Sequence, residues 1–421
     1  MRQHFPFCLH RASSWILLAM LAIFFPALGF TQEQVLYSFT GTHGDGLYPF
    51  APVTLVKGKL YGTTLDGGAG YGNVFQLNRN SNGTWTSKTL LSFQGSSGYA
   101  PGGYGPLGGL VGDAAGNLYG MTQAGGVHGY GVAFKLAPDG KGGWAETVLH
   151  PFNGFDGSQP VASLIFDNAG NLYGTTSFGG AKAYGRGNVF KLSPNSDGTW
   201  TESVLLTFNG ADGWRPLGGL TFDAAGNLYG TTDEGGASGF FGNVYKLSPG
   251  SDGKWTETVL YSFDGNDGAY GIGNVVFDSA GNLYGTTFGG GGTSCEFGCG
   301  VVFELSPNSN GSWTYTVLYR FTGGSDGADP YAGLAIDQAG NLFGTTAFGG
   351  DFSACNVGCG VVFKLARDLQ GQWAYTVLNS FNDSDGAAPE SNLILGPTGL
   401  LLGTTVSGGS ASGGVVFELA P

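Results

Sequence analysis

Positive charge is scarce in this sequence of 421 residues. Lys and Arg together number 17 against 30 Asp and Glu, and the formal net charge at pH 7 is −13. Proteins that bind nucleic acid or anionic lipid need clustered cationic side chains, so we expect neither kind of partner. Charged residues make up 11% of the chain, yet 14% of the residues are aromatic. Because disordered chains are poor in aromatics, the composition indicates an ordered protein.

Long apolar runs are missing after the first 29 residues. Those residues carry Arg2 and Arg11, an apolar run over 15–25 and small residues at 27–29, which is the pattern of a secretory signal peptide. The apolar run is shorter than the roughly 20 residues that span a bilayer, and a retained membrane anchor is the alternative interpretation. We predict that residues 1–29 are removed. Residues 33–421 should then form one soluble, monomeric domain, secreted or periplasmic and not inserted in a membrane.

Helical periodicity and the common catalytic motifs are also missing. No segment after the signal shows a sustained helical period. No nucleophile elbow, phosphate-binding glycine loop or zinc-protease helix occurs. The GxG strings precede strands and lack the helix that dinucleotide binding requires. These absences favour an all-β protein without an enzymatic role.

Glycine, by contrast, is abundant at 81 residues, and it belongs to a repeat. The sequence NLYGTT or a close variant recurs seven times, at intervals of 54 to 59 residues, which suits a unit of four short strands. The glycines of this motif are Gly62, Gly120, Gly174, Gly230, Gly285, Gly344 and Gly403. In the fourth unit the strand-like runs are 217–222, 227–232, 242–247 and 255–263, separated by Asp/Gly-rich turns.

Three further features predict that the units close into a ring. The first strand of each unit is rich in small residues, as at Gly218 and Gly219, which suits strands crowded round a channel. A tryptophan opens the fourth strand in six units, and we interpret its repetition as turn packing. The seventh unit ends after its third strand, whereas residues 35–39 repeat the fourth-strand sequence of 259–263. We therefore predict an all-β, seven-bladed β-propeller with four-stranded blades, closed by the N-terminal strand completing the last blade.

The segments DxAGNLYGTT, GG and GxVFxL resemble the GloVer-type tandem-repeat proteins over residues 35–421. This is a bacterial exported family grouped with the choice-of-anchor proteins. The resemblance implies a β-propeller outside the cytoplasm and carries over no catalytic residues. Many relatives add a surface anchor after the repeats, whereas here the last repeat runs to Pro421, so the resemblance does not extend to tethering.

One face of the predicted propeller carries the turns after the second and fourth strands, because alternate turns lie on opposite faces. Six of the connections from a fourth to a first strand place an aspartate on this face, and the second unit has Ser97 instead. The aspartates are Asp45, Asp156, Asp212, Asp267, Asp326 and Asp385. They could bind Ca²⁺, but Asp-Gly is also ordinary turn chemistry, with the carboxylate accepting from nearby amides, and we favour this second interpretation.

Residues that break the repeat near the channel mouth are the candidates for ligand contact, because a purely structural position should look alike in every unit. The candidates are Trp214, Arg215, Glu390, Asn392, His43 and His128. Drift within the repeat is the alternative. The two histidines could also form a metal or acid-base site near Asp45, although loop histidines are commonly just solvated.

Four cysteines follow the signal, in equivalent loops of the fifth and sixth units: Cys295, Cys299, Cys355 and Cys359. In an exported protein we expect two local disulfides. Four cysteines allow three pairings, and a four-thiolate zinc site is a further alternative.

Together these patterns predict an exported, non-enzymatic protein that binds an extracellular glycan or protein on the face with the Asp-Gly loops. One alternative is a hydrolase or lyase that acts on polysaccharide with carboxylates at the channel mouth. Another is a structural surface protein stabilised by Ca²⁺. Apart from Ca²⁺, we expect no cofactor.

Overall fold

The computed structural model describes residues 33–95, 100–180, 185–237, 239–292 and 294–421. The proposed signal peptide and Ser97 lie outside these residues. The described residues form seven four-stranded antiparallel sheets arranged in a ring, and they contain no α-helix. Accordingly, none of the described segments is a helix that could cross a bilayer. The prediction of an all-β, seven-bladed propeller is confirmed.

We number the blades in chain order and the strands of a blade from the channel outward. Blades 1 and 2 contain Thr54–Val56, Lys59–Thr64, Asn73–Arg79 and Trp85–Ser92, then Val111–Gly112, Leu118–Thr122, Val132–Pro138 and Trp144–Pro151. Blades 3 and 4 contain Ile165–Phe166, Leu172–Thr176, Asn188–Pro194 and Trp200–Thr207, then Thr221–Phe222, Leu228–Thr232, Asn243–Pro249 and Trp255–Ser262. Blades 5 and 6 contain Val276–Phe277, Leu283–Thr287, Val301–Pro307 and Trp313–Arg320, then Ala335–Ile336, Leu342–Thr346, Val361–Arg367 and Trp373–Ser380. Blade 7 contains Ile394–Leu395, Leu401–Thr405, Val415–Leu419 and Gln34–Ser38. A short ribbon pairs Gly46–Leu47 with Asp66–Gly67.

The N-terminal strand closes the ring as predicted. Gln34–Ser38 pairs antiparallel with Val415–Leu419, and Val35 lies opposite Phe417. Leu36 and Phe39 are buried at this junction. The last blade is therefore assembled from both ends of the described chain.

The glycine of each NLYGTT motif is required by packing inside its blade. At Gly344 an added Cβ would lie 2.4 Å from Cζ of Phe363, the aromatic residue of the GxVFxL segment in the neighbouring strand. Second strands such as Leu342–Thr346 are buried along their whole length, because adjacent blades cover both faces. The glycine of the NLYGTT motif thus leaves the space that the aromatic ring of the GxVFxL motif occupies.

The DxAGNLY segment fixes the turn between the first two strands of a blade. In blade 4, Oδ1 of Asp223 accepts hydrogen bonds from the backbone N–H groups of Ala225 and Asn227, both at 2.9 Å. Its Oδ2 accepts from Asn227 Nδ2 at 2.7 Å and from the Tyr229 hydroxyl at 3.1 Å. One carboxylate therefore holds the turn and the start of the next strand.

Blades are joined by two repeated contacts. The ring of Trp255 packs edge-on against Tyr173 of the preceding blade, with centroids 6.2 Å apart, so the tryptophans pack between blades and not within their turns. The hydroxyl of Thr231 donates to the Gly273 carbonyl of the following blade at 2.8 Å. The equivalent bond from Thr404 to the Ala51 carbonyl, at 3.0 Å, joins blade 7 to blade 1.

The first strands are shorter than predicted. In blade 4 the ladder covers Thr221–Phe222 instead of residues 217–222. The residues before Thr221 pack against the neighbouring blades instead of joining the ladder. The Gly218 carbonyl, for example, accepts a hydrogen bond from Thr175 of blade 3 at 3.3 Å. An added Cβ at Gly218 would also meet the Gly273 carbonyl oxygen at 2.7 Å. The small residues of this segment therefore serve contacts between blades, as their crowding at the channel predicts.

Candidate functional site

The central channel is narrow and partly filled by its own side chains. It encloses about 200 Å³ and is lined by all seven blades. Asn392 of blade 7 accepts a hydrogen bond from the Gly333 backbone at 2.6 Å. Its Nδ2 donates to Asn274 Oδ1 at 2.5 Å. Asn392 thus links blades 5, 6 and 7 inside the channel, and the sequence candidate has structural partners there.

A wider cavity of about 500 Å³ lies at the mouth of the channel, and we call it the mouth cavity. Its floor is a ring made of one residue from the equivalent position of each blade. The ring consists of Phe50, Leu107, Val161, Leu217, Ile272, Tyr331 and Glu390. Six members are apolar or aromatic and one is a carboxyl group. The cavity falls within the roughly 300–1,000 Å³ typical of small-molecule sites, and its mixed lining suits such a site.

A second tier of residues stands two positions before the ring, and its backbone is the same in every blade. Six of its seven members are not glycine, yet all have positive φ: Tyr48, Gln159, Arg215, Tyr270, Asp329 and Ala388, with φ from 53° to 62°, and Gly105 at 66°. At Arg215, the N–H donates to the Arg186 carbonyl of the preceding blade at 2.9 Å, and the carbonyl accepts from the Asp233 N–H at 3.1 Å. Non-glycine residues rarely adopt this conformation. The fold therefore fixes the backbone here and lets the side chain vary.

Arg215 is the cationic group of the mouth cavity. Its Nη1 lies 2.9 Å from Asp233 Oδ2 and 2.9 Å from Glu234 Oε1. The guanidinium carbon is 5.6 Å from the ring centroid of Phe178, within range of a cation–π contact. Burial raises the pKa of Asp233, and the nearby Arg215 guanidinium opposes this effect only in part, so that the pKa is about 6. The arginine is thus oriented by two carboxylates and one aromatic ring.

Glu390 is the one carboxyl group of the floor ring. Burial raises the pKa of Glu390 to about 7. Near neutral pH this side chain can therefore either donate or accept a hydrogen bond. Beside it, Tyr331 packs edge-on against Phe288, with centroids 4.8 Å apart. The lining of the cavity thus combines aromatic rings with hydrogen-bonding groups.

The sequence candidates separate into four groups, and the first is Asn392 inside the channel. Arg215 and Glu390 line the mouth cavity. Trp214 does not line it, and the Arg186 guanidinium lies 5.5 Å from the ring centroid of Trp214. His43 and His128 are exposed loop residues that do not line this cavity.

None of the six loop aspartates lines the mouth cavity. Each carboxylate accepts hydrogen bonds from its own connection, as at Asp212 Oδ1, which is 2.8 Å from the Asn209 backbone nitrogen. Asp326 likewise accepts from the Thr322 backbone at 2.9 Å and from the Tyr319 hydroxyl at 3.0 Å. The other loop aspartates with such local bonds are Asp45, Asp156, Asp267 and Asp385. Within the described ranges, one set of three potential metal ligands lies close together, and it contains a single loop aspartate, Asp156.

Sequence reasoning missed several residues of the mouth cavity, among them Gln159, Phe178, Asp233 and Phe288. They occupy repeat positions at which almost every unit differs. Asp233, for example, aligns with Leu65, Gln123, Ser177, Phe288, Ala347 and Val406. A repeat position that carries a different residue in almost every unit is therefore the sequence feature by which they could have been predicted.

The cysteines form two disulfides, Cys295–Cys299 and Cys355–Cys359, with Cα atoms 5.2 and 5.3 Å apart. Each closes within one loop between the second and third strands of blades 5 and 6. Disulfides are typical of oxidising compartments, so the pairs fit an extracytoplasmic protein.

Comparisons with known proteins agree with this architecture. The model of the Gloeobacter/Verrucomicrobia repeat matches residues 23–237, 134–354 and 242–421. A search of curated proteins finds no match. Among solved structures, PorZ, a surface component of the type-IX secretion system of Porphyromonas gingivalis, superposes with a TM-score of 0.52 at 15% identity. That match covers 89% of this chain and 46% of the PorZ chain. A protein from Lactobacillus plantarum superposes with a TM-score of 0.50 at 16% identity, over 85% of this chain and 88% of that one. At these identities the similarity shows the fold alone.

Proposed function

This chain belongs to the Gloeobacter/Verrucomicrobia repeat family, and we propose that it is an exported protein that binds a neutral glycan in the mouth cavity. The observation that carries the proposal is the composition of that cavity. Its lining combines aromatic rings with a fixed Arg215–Asp233 pair and the carboxyl group of Glu390. The disulfides support a location outside the cytoplasm.

A sugar ring matches this combination of surfaces. Its C–H faces are apolar and pack on aromatic rings, while its hydroxyl groups hydrogen-bond to carboxylates, amides and guanidinium groups. Phe178, Phe288 and Tyr331 supply rings, and Gln159 and Asp233 supply polar groups. Hydrogen bonds to charged partners are stronger than those between neutral groups.

The charge of the cavity favours a neutral glycan over an anionic one. Arg215 already lies 2.9 Å from both Asp233 and Glu234, so its charge is offset. Glu390 adds a further acid. An anionic sugar would meet these carboxylates without a free cation to pair with, and like charges in a partly buried site repel.

A glycan array probed with the purified protein, followed by calorimetry on the best ligand, tests the proposal. We expect Asp233→Asn and Tyr331→Ala each to weaken binding by about tenfold or more, the effect of losing a charged hydrogen bond or an aromatic contact. Lys254→Ala is the control, because Lys254 is exposed in the turn between a third and a fourth strand, on the opposite face.

Two results would contradict the proposal. One is the absence of any glycan ligand on the array. The other is a glycan that both cavity variants and the wild type bind equally, which would place its site elsewhere. Capture of a protein ligand that Tyr331→Ala abolishes would replace glycan by protein as the ligand class.

Catalysis on polysaccharide is a second candidate, favoured by one observation. Two carboxyl groups with raised pKa, Glu390 at about 7 and Asp233 at about 6, line the same cavity. A general acid for glycoside cleavage needs such a pKa, and a second carboxylate completes the usual pair. Release of reducing ends from a bound polysaccharide, abolished in Glu390→Gln while binding persists, would assign catalysis. Under the binding proposal we expect no release.

A further inference from the structure

Apart from blades 1 and 2, whose connection is only partly described, each pair of neighbouring blades encloses a small space between their outer strands, which we call a niche. Three repeat positions line it: a residue near the end of one blade's fourth strand, the loop aspartate that follows, and a residue near the start of the next blade's fourth strand. In the niche between blades 4 and 5 these are Tyr261, Asp267 and Tyr315, and the two tyrosine rings stack with centroids 3.9 Å apart. The backbone of the niche is repeated, whereas its side chains differ.

The niche between blades 2 and 3 holds three potential metal ligands, His150, Asp156 and Glu202. Their ligand atoms all lie within 4.8 Å of one another. His150 Nε2 is 3.1 Å from Asp156 Oδ2, and the two side chains are 18% and 14% exposed. Glu202 Oε1 is buried and has no hydrogen-bond partner. One carboxylate oxygen is therefore left for a ligand beside an imidazole and a second carboxylate.

We propose that this niche is a binding site for a divalent transition-metal ion such as Zn²⁺, held by His150, Asp156 and Glu202. Three protein ligands with a water in the fourth position are a usual arrangement for Zn²⁺. With metal–ligand distances of about 2.1 Å, tetrahedral ligand atoms lie about 3.4 Å apart. Small side-chain rotations would bring the three atoms to that spacing. The ion would join the outer strands of two blades.

The ligand set indicates which metals fit. Ca²⁺ and Mg²⁺ prefer oxygen ligands alone, whereas imidazole nitrogen suits Zn²⁺ and other transition metals. The Asp156 carboxylate is also oriented, since it accepts from the Asn153 backbone at 2.9 Å and from Asn153 Nδ2 at 2.6 Å. Such partners position a metal-binding carboxylate and strengthen the site.

A bulge in the fourth strand creates this arrangement. The register between the third and fourth strands of blade 2 shifts between Ala133 and Phe134, so that Leu149 has no partner opposite it. Without the bulge, Glu146 and His150 would point to the same side, because side chains four positions apart share a face. With it, Glu146 lies against Gly102 in the connection from blade 1, and His150 points toward blade 3.

The other niches provide internal controls. In the niche between blades 3 and 4, Glu257 interacts with Asp212, but the histidine position is Leu206. In three further niches the position of His150 is a tyrosine: Tyr37, Tyr261 and Tyr319. Within the part of the chain that the structure describes, a histidine meets two carboxylates in the blade 2–3 niche alone.

The test is titration of the purified, EDTA-treated protein with Zn²⁺ by calorimetry, and with Co²⁺ by absorption spectroscopy. We expect one equivalent of each metal, tetrahedral Co²⁺ absorption bands, and a melting temperature higher by about 3–5 °C at a hundredfold excess over Kd. Ca²⁺ should have no such effect. A wild-type protein that binds neither Zn²⁺ nor Co²⁺ would overturn the proposal.

Two variants place the ion in the molecule. His150→Tyr installs the residue that three other niches already carry, so it should fold normally and lose the bound metal. Leu206→His supplies the missing ligand beside Asp212 and Glu257, and the stoichiometry should rise from one to two. His128→Tyr changes an exposed loop histidine and should bind like the wild type. Unchanged binding by His150→Tyr, or a stoichiometry of one in Leu206→His, would count against the site.

Discussion

At the scale of single residues, the repeat divides positions into those fixed by packing and those free to differ. Gly344 is fixed, because the Phe363 ring occupies the space of its absent side chain. Arg215 is free to differ, because its equivalents include tyrosine, glutamine, aspartate and alanine on the same backbone. The binding function that we propose therefore depends on side chains at the second kind of position.

The fixed class can be tested at Gly344. In Gly344→Ala the added Cβ would lie 2.4 Å from Cζ and 2.9 Å from Cε1 of Phe363, in a fully buried strand. Overpacking of this kind destabilises a core by about 1–3 kcal/mol. Urea unfolding measures the loss. Gly292→Ala is the matched control, because a Cβ there has no neighbour within 4 Å and we expect no loss. Equal stability of the two variants would show that the ring yields without strain.

Glu390 makes stability depend on pH in a defined direction. Its ordinary pKa is 4.5, and burial in the folded state raises the pKa to about 7. Between these values the folded state binds more protons than the unfolded state, so stability falls as pH rises. The stabilisation is fully present below pH 4.5 and is lost through pH 7. Glu390→Gln cannot ionise, and well above pH 7 it should be more stable than the wild type by about 3 kcal/mol.

Unfolding at pH 4.5, 6 and 8 checks this expectation for Glu390. The difference in unfolding free energy between variant and wild type should grow from pH 4.5 to pH 8. A difference that does not change with pH would mean that Glu390 titrates alike in both states. Lys254→Ala should follow the wild type at every pH.

The repeat pattern pointed to part of the candidate site. Arg215 and Glu390 were found because they break the repeat where the chain enters the mouth cavity. Asn392 breaks the repeat for a structural reason, because it bonds to Asn274 inside the channel. His150 was passed over, since its partner Glu202 lies on another blade and strand alternation alone points the histidine to the wrong side. Such relations between blades depend on bulges that the residue pattern does not show.

At the scale of the strand, the repeated threonine of the second strand links each blade to the next. Six blades donate from this hydroxyl to a carbonyl in the segment just before the first strand of the following blade. Blade 2 has Met121 in its place, buried at the same position. The hydrogen bond from this threonine therefore joins neighbouring blades around most of the ring, and the ring still closes where blade 2 lacks it.

Removal of one such bond should have a measurable effect. Thr231→Val preserves the shape of the side chain and leaves the buried Gly273 carbonyl without its partner at 2.8 Å. An unsatisfied buried acceptor costs about 1–3 kcal/mol, and thermal or urea unfolding would report the loss. Thr258→Val is the control, because Thr258 is exposed on a fourth strand. If Thr231→Val is as stable as the control, a different group satisfies the carbonyl.

At the scale of the whole molecule, the ring closes through a strand from the opposite end of the chain. The blade count and the closing strand were predictable, because the 35–39 segment repeats a sequence whose place in the unit is known. The contacts that this segment makes with blade 1 were less predictable. Phe39 is fully buried and packs edge-on against Phe75, with centroids 5.0 Å apart. The N-terminal strand thus contacts blade 1 as well as blade 7.

Two altered chains test whether this strand is needed for its contacts or for its position in the sequence. A chain that starts at Thr40 loses the buried Leu36 and Phe39, about 3–6 kcal/mol of apolar burial, and exposes the edge of Val415–Leu419. It should unfold at lower temperature and aggregate.

A circular permutant, by contrast, keeps every strand. A short linker can join residues 421 and 33, because Gln34 lies opposite Glu418, and the new ends are placed in the exposed 251–253 turn. Its new first strand, Trp255–Ser262, would complete blade 4 as Gln34–Ser38 completes blade 7. We expect calorimetry to place the melting temperature of the permutant near that of the wild type. A permutant that fails to fold, or a truncated chain as stable as the wild type, would show that the contacts of this strand do not close the ring.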